Sequence, residues 1–132
     1  MQKQQESVGK VVKYSGLNVW PHEQVIADIL AADGHIVEFI KPADRKGENT
    51  PDVLMDGIRW EFKSPKSSKL DAVERNLKRA SRQCSRIVFA SRRMKRVPDK
   101  AIERELSKQL NVSKKIDLIK FINRHGKTID IK

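Results

Sequence analysis

The sequence is poor in cysteine and has no long apolar run. Its one cysteine, Cys84, excludes an internal disulfide and a cysteine-rich zinc site. No apolar stretch approaches the roughly 18 residues that a membrane-spanning helix needs. The first residues are polar and do not form the apolar centre of a signal peptide. We therefore expect a soluble protein that works in a reducing compartment, with Cys84 as a buried thiol.

Acidic residues are also scarce relative to basic ones. The 132 residues include 17 Asp and Glu against 28 Lys and Arg, and the net charge is +11. Such a surface attracts polyanions, with nucleic acid as the first candidate, an acidic protein second and an anionic membrane third. A basic but otherwise ordinary soluble domain is the alternative. The 38% of hydrophobic residues are enough for the core of one domain.

The apolar pattern predicts helices interleaved with short strands. Helical spacing is present over residues 21–33, over 70–84 and after Pro98, while strands are expected at 35–40, 52–56, 58–63 and 86–91. Residues 116–131 are typical of a closing hairpin, and residues 41–50 of a loop. The fold class is therefore α/β with a mixed sheet. We predict an N-terminal arm over residues 1–19 and a single domain over residues 20–132.

Three residues of the predicted central hairpin carry the chemistry. Asp52 begins one strand, Glu61 lies near the end of its partner, and the Asp56-Gly57 turn folds the two strands together. Converging carboxylates suit Mg²⁺ or Mn²⁺, which bind through one or two carboxylates and substrate phosphate. Lys63 follows Glu61 by two residues and shares its face of the strand. The alternative is a solvated cross-strand ion pair.

Further residues could support such a centre. Glu23, in the first turn of the first helix, could be a ligand or could simply complement the helix dipole. Trp20 and Trp60 are expected in the core rather than as base-stacking platforms. Phosphate contacts are expected from the outer face of the second helix and from the basic run after the fourth strand; these residues are Arg75, Lys78, Arg82, Arg92, Arg93, Lys95 and Arg96.

The chain resembles the PD-(D/E)xK nuclease superfamily in two short motifs, Pro51-Asp52 and Glu61-Phe62-Lys63. It also has the order of elements of that superfamily, a helix, three strands, a helix and a strand. The resemblance implies that Asp52 and Glu61 bind the catalytic metal and that Lys63 assists hydrolysis. It also favours Glu23 as a further metal ligand and Gln83 as a polar neighbour of the site. The expected cofactor is Mg²⁺ or Mn²⁺ in preference to Zn²⁺.

A narrower resemblance covers roughly residues 20–132. The runs at residues 22–27, 50–57, 61–66 and 77–83, with the closing hairpin, are similar to the C-terminal toxin domain of contact-dependent growth inhibition proteins. It implies a nuclease, commonly a tRNase, delivered into the cytoplasm of a target bacterium and neutralised by an immunity protein. The charge of this chain suggests that its immunity protein is acidic. A DNase and a noncatalytic nucleic-acid-binding module remain alternatives, and the oligomeric state is open.

Overall fold

The computed structural model describes residues 9–40 and 53–132. Over these residues the chain alternates helices and strands, as the sequence pattern predicts. The elements, in chain order, are β1 (Lys10–Val12), α1 (Pro21–Ala32), β2 (Ile36–Phe39), β3 (Val53–Met55), β4 (Ile58–Lys63), α2 (Asp71–Ser81), β5 (Arg86–Ala90), α3 (Asp99–Val112), β6 (Leu118–Ile122) and β7 (Thr128–Asp130).

The strands form one mixed sheet in which spatial order follows chain order, from β1 to β7. The β1–β2, β4–β5 and β5–β6 pairs are parallel, and the β2–β3, β3–β4 and β6–β7 pairs are antiparallel. Because β4, β5 and β6 run in the same direction, the segments that follow them leave the sheet at one edge. Ligands of α/β sheets commonly bind outside the carboxyl ends of such strands.

Helix α1 covers one face of the sheet. It starts at Pro21, where a missing backbone N–H costs the helix nothing, and it buries Ile26, Ala27 and Leu30. These side chains pack with Trp60 and Phe62 of β4 in one core cluster. The alternating pattern of β4 therefore points its two aromatic rings toward α1 and leaves its other side chains for the opposite face.

Helices α2 and α3 cover that opposite face over β5 and β6. The buried stripe of α2, which includes Val73, Leu77 and Ala80, packs with Ile102 and Leu106 of α3 in a second core cluster. Ile87 and Phe89 of β5 belong to the same cluster. Since Glu61 pairs with Ile87 and Lys63 pairs with Phe89, both polar residues of β4 lie on the side of α2 and α3.

The hairpin between β3 and β4 turns at Asp56-Gly57, as predicted. Both residues have positive φ, 54° and 83°, which is the geometry of a two-residue turn that matches the twist of the strands. The Asp56 carboxylate accepts hydrogen bonds from the Ile36 backbone N–H at 2.9 Å and from His35 Nδ1 at 2.7 Å. The turn is thereby attached to the start of β2.

The predicted order of elements and the mixed α/β class are confirmed, with differences at the boundaries. Helix α2 ends at Ser81, so Gln83 and Cys84 lie in the turn before β5 rather than in the helix. Residues 10–12 of the expected N-terminal arm form the edge strand β1, which pairs with β2. No helix in residues 9–40 or 53–132 is long and apolar enough to cross a membrane.

The two tryptophans have different environments. Trp60 is buried in the core, as predicted. The prediction that Trp20 is a core residue is wrong, because its side chain is 68% exposed. Trp20 is the residue directly before α1, where the chain is extended, and this position directs the indole away from the apolar stripe that begins further along the helix.

Candidate functional site

Glu61 and Lys63 form a charged pair near the carboxyl end of β4. The Glu61 side chain is 4% exposed, and the Lys63 Nζ lies 3.7 Å from Glu61 Oε2. Lys63 is 21% exposed, so its ammonium lies between the buried carboxylate and solvent. Burying a carboxylate costs several kcal/mol unless other groups compensate its charge. The negative charge of Glu61 is therefore inside the protein, and the positive charge of Lys63 is partly exposed to solvent.

Gln83 also contacts this carboxylate. With its amide nitrogen turned toward Glu61, Gln83 donates hydrogen bonds of 3.0 Å to Oε2 and 3.1 Å to Oε1. The turn that carries Gln83 is fixed at the end of α2, where its backbone N–H donates to the Ala80 carbonyl at 2.9 Å. The side chain chosen from the sequence thus contacts the predicted centre, although it lies beyond the helix end.

Cys84 is next to the same carboxylate. Its thiol donates to the Arg59 carbonyl oxygen at 3.2 Å and is part-buried. Burial raises the pKa of the Cys84 thiol, and the negative charge of Glu61 raises it further. A raised pKa keeps the group as the poorly nucleophilic thiol at neutral pH. Cys84 therefore borders the site as a protonated thiol at neutral pH.

Of the other two predicted acidic residues, Glu23 lies in the described part of the chain and Asp52 does not. Asp52 falls outside the described residues; the next residue, Val53, pairs with Trp60, which immediately precedes Glu61. Glu23 is half-buried in the first turn of α1 and lines a cleft with Trp20, Phe39 and other residues. Helix α1 packs on the sheet face opposite Glu61 and Lys63, and Glu23 lies in its first turn, in a cleft that is also lined by residues at the end of β2.

At the charged pair, the metal donor that the described residues supply is the Glu61 carboxylate. Residues 9–40 and 53–132 contain no group of three or more His, Cys, Asp or Glu side chains arranged to hold a metal ion. The Glu61 carboxylate has the hard oxygen donors that Mg²⁺ and Mn²⁺ prefer, and these ions often use only one or two protein carboxylates. The donor chemistry fits such an ion if a second carboxylate joins Glu61.

A basic groove lies at the same edge of the sheet, where the turn after Lys63 leaves β4. We use the name for the surface lined by Lys66, Ser67, Ser68, Arg93, Lys95 and Arg96. Lys66 comes from the turn after β4, and the arginines and Lys95 from the connection between β5 and α3. The buried Met94 anchors that connection, and its backbone N–H donates to the Ser91 carbonyl at 2.8 Å. Four cations with two hydroxyl groups suit the binding of phosphates.

The basic residues of α2 have a different setting. Arg75 Nη1 lies 2.9 Å from Asp71 Oδ2, and Lys78 Nζ lies 3.2 Å from Glu74 Oε2. Both pairs are exposed and four residues apart, so they contribute little to stability. Each cation has an acidic neighbour that offsets its charge, whereas Arg82 lies exposed at the end of the helix.

An apolar cleft opens on the other side of the β5–α3 connection. Its cavity of about 230 Å³ has a floor formed by Val25, Ile26, Ile29, Ala90 and Ile122 and a polar rim formed by His22, Ser64, Arg92, Arg93, Lys95 and Asn123. Arg93 and Lys95 line both the cleft and the basic groove. The two depressions are therefore adjacent parts of one surface at the carboxyl edge of β4, β5 and β6.

Sequence reasoning singled out neither Lys66 nor His22 as a binding residue. Lys66 carried a usable signal, since it follows Glu61-Phe62-Lys63 in a turn that must leave the same edge of the sheet. His22 carried none, because its position beside Arg93 depends on how α1 packs across the sheet. Both cases concern tertiary neighbours separated by roughly 30 to 70 positions in the sequence.

Comparison with known proteins supplies a family. No curated protein matches the sequence. A solved chain described as "CdiA-CT/CdiI toxin and immunity complex from Burkholderia pseudomallei" superposes with a TM-score of 0.70, covering 93% of this chain and 99% of that chain. Sequence identity is 20%, so this likeness shows a shared fold.

The family model for the contact-dependent growth inhibition CdiA C-terminal domain matches residues 48–128. This match covers more than half of the chain and includes Glu61, Lys63, Gln83 and the basic groove. The chain belongs to the contact-dependent growth inhibition CdiA C-terminal domain family, a family of toxin domains.

Proposed function

We propose that this toxin domain is a metal-dependent nuclease that hydrolyses phosphodiester bonds, with tRNA as its preferred substrate. The observation that carries the proposal is the buried Glu61 carboxylate, which contacts Lys63 at 3.7 Å and the Gln83 amide at 3.0 Å. The basic groove begins in the turn that follows Lys63 and suits a polyanion.

The burial of Glu61 favours a chemical role over a purely structural one. A hydrophobic residue at this position would pack against Ile87 and α2 without the cost of burying a charge, and such replacements are often neutral or stabilising. Strongly perturbed environments around ionisable groups cluster at functional sites. A buried carboxylate paired with a partly exposed lysine is suited to act on a bound phosphate.

Glu61 and Asp52, with Glu23 as a third candidate, are the residues that would hold the metal, and we expect Mg²⁺ or Mn²⁺ in preference to Zn²⁺. Such an ion would activate a water molecule and stabilise charge on the phosphate oxygens. Lys63 would place its ammonium against the negative charge that develops as water attacks phosphorus and the ester oxygen leaves. Gln83 would keep the Glu61 carboxylate in one orientation.

The family and the charge together support the choice of substrate and partner. A net charge of +11 favours nucleic acid, and the substrate would be met in the cytoplasm of a target bacterium. An acidic immunity protein would block this surface quickly, because complementary charges raise association rates. The solved relative with a similar fold is described as a toxin and immunity complex. A DNase of the same fold, or a noncatalytic binding module, are the competing functions.

Expression of the chain alone in bacteria would separate these functions. We expect growth arrest, with tRNA fragments on northern blots before any damage to chromosomal DNA, and rescue by a small acidic protein encoded next to the toxin. Lys63→Ala is the matched control and should remove the arrest. Degraded chromosome with intact tRNA would favour the DNase, and intact tRNA, intact DNA and normal growth would leave the binding module.

A further inference from the structure

An exposed aromatic stack lies at the start of α1. The Trp20 and His22 rings are stacked, with centroids 6.2 Å apart and an interplanar angle of 22°. The Trp20 side chain is 68% exposed, the largest exposure among the large hydrophobic side chains in the described residues. The indole thus presents a flat apolar ring to solvent next to the supporting imidazole.

His22 connects this stack to the basic surface. Burial lowers the pKa of His22, and the positive charge of Arg93 lowers it further. At neutral pH the imidazole is therefore uncharged and supports the indole as a flat, apolar ring. The same histidine lines the apolar cleft together with Arg92 and Arg93, so the ring that supports Trp20 borders the same opening as two guanidinium groups.

The combination matches the chemistry of an unpaired nucleotide. A nucleobase is flat and apolar on its faces, and it stacks on tryptophan in proteins that bind single strands. Its phosphate needs cations within a few ångströms, which Arg92, Arg93 and Lys95 supply at the rim of the cleft. A base in a duplex is already stacked on both faces and cannot use such a platform.

We infer that Trp20, supported by His22, is a stacking platform for an unpaired base of the nucleic-acid substrate, with the adjoining phosphate bound by Arg92 and Arg93. This inference rests on the proposed nuclease function and adds to it a preference for single-stranded regions. The platform holds the strand on the α1 side while the basic groove guides it past Lys63. Trp20 is a binding residue, and it takes no part in the hydrolysis itself.

Binding of a short single-stranded RNA oligonucleotide tests the platform. The chain carries Lys63→Ala so that the RNA stays intact, and affinity is measured by anisotropy of a fluorescent label on the RNA. Stacking of one base predicts that Trp20→Ala weakens binding by about fivefold to a hundredfold. Trp20→Phe, which keeps an aromatic ring, should restore most of the affinity. Val112→Ala removes an equally exposed side chain at the end of α3 and should change nothing.

When the same oligonucleotide is paired with its complement, Trp20→Ala should bind the duplex almost as tightly as the chain that keeps Trp20. RNA should also quench the emission of Trp20 and leave that of the buried Trp60, which remains visible in Trp20→Ala. If Trp20→Ala and the chain that keeps Trp20, both carrying Lys63→Ala, bind single-stranded RNA with equal affinity, the inference is overturned. A dimer that Trp20→Ala dissociates while RNA affinity is unchanged would overturn it too. If Trp20→Ala weakens RNA binding but the wild-type chain cleaves no RNA, Trp20 is a stacking platform and the proposed nuclease function is wrong.

Discussion

Replacing Lys63 by methionine tests how the protein keeps a carboxylate buried. Methionine is similar in length and volume to the lysine stem but has no charge. The substitution therefore removes the cation 3.7 Å from Glu61 Oε2 and leaves the packing around it nearly intact. The Gln83 hydrogen bonds to the carboxylate remain. We expect a loss of stability together with a loss of cleavage.

The size of the loss follows from the geometry. Two unit charges about 4 Å apart interact by about 4 kcal/mol at an effective dielectric of about 20. Lys63 is 21% exposed, and the lysine also gives up hydration when it pairs, so part of this energy is cancelled. A net destabilisation of about 1–3 kcal/mol remains, which is typical of a buried polar group that loses its partner. At a urea slope of about 1–3 kcal/mol per molar, the midpoint falls by about 1 M.

Equilibrium unfolding in urea measures this difference. Lys69→Met, at an exposed position before α2, is the control and should leave the midpoint unchanged. In Glu61→Gln/Lys63→Met the buried charge is gone as well, so this double variant should be more stable than Lys63→Met alone. If Lys63→Met is as stable as the wild type, Lys63 does not compensate the buried charge of Glu61. The same conclusion follows if the double variant loses as much free energy of unfolding as the two single substitutions added together.

Three further predictions concern charge. Neutralising the basic groove should weaken binding to all nucleic-acid sequences and flatten the dependence of log affinity on log salt, measured by titration at several salt concentrations. Neutralising Arg75 and Lys78 should have a smaller effect, because acidic neighbours already offset their charges. Glu61→Gln should lower the pKa of Cys84 and speed its modification by a thiol reagent at fixed pH; an unchanged rate would contradict their coupling. Hydrogen bonds from the Ile36 backbone N–H and then from His35 lower the pKa of Asp56. The stability that the Asp56 carboxylate adds, measured by unfolding against Asp56→Asn, should therefore be complete above the ordinary pKa of aspartate. It should be lost as the pH falls through the lowered pKa.

The order of elements could be predicted from the sequence because each element carries a local signal. Pro21 and the apolar repeat define α1, and Asp56-Gly57 defines the hairpin turn. The alternation in β4 also placed Glu61 and Lys63 on one face, since strand geometry has a fixed period of two. These predictions needed no knowledge of tertiary neighbours.

The environment of Trp20 was not predictable in the same way. Aromatic residues before an amphipathic helix are often buried, and the sequence has no feature that separates Trp20 from the buried Trp60. The end of α2 was missed for a related reason, because the apolar stripe continues to Cys84 although the helix ends at Ser81. Tertiary contact with β4, through the Arg59 carbonyl, explains why Cys84 keeps the phase of the stripe.

Cleavage of tRNA in total bacterial RNA by the purified chain tests the central claim most directly. Wild-type chain, Asp52→Ala, Glu61→Ala and Lys63→Ala are each incubated with total bacterial RNA and with plasmid DNA, with Mg²⁺ or with EDTA. We expect the wild type to cleave tRNA only with Mg²⁺, and the three variants to bind RNA and remain folded without cleaving it. Wild-type rates in Glu61→Ala or Lys63→Ala would contradict the assignment of the active site.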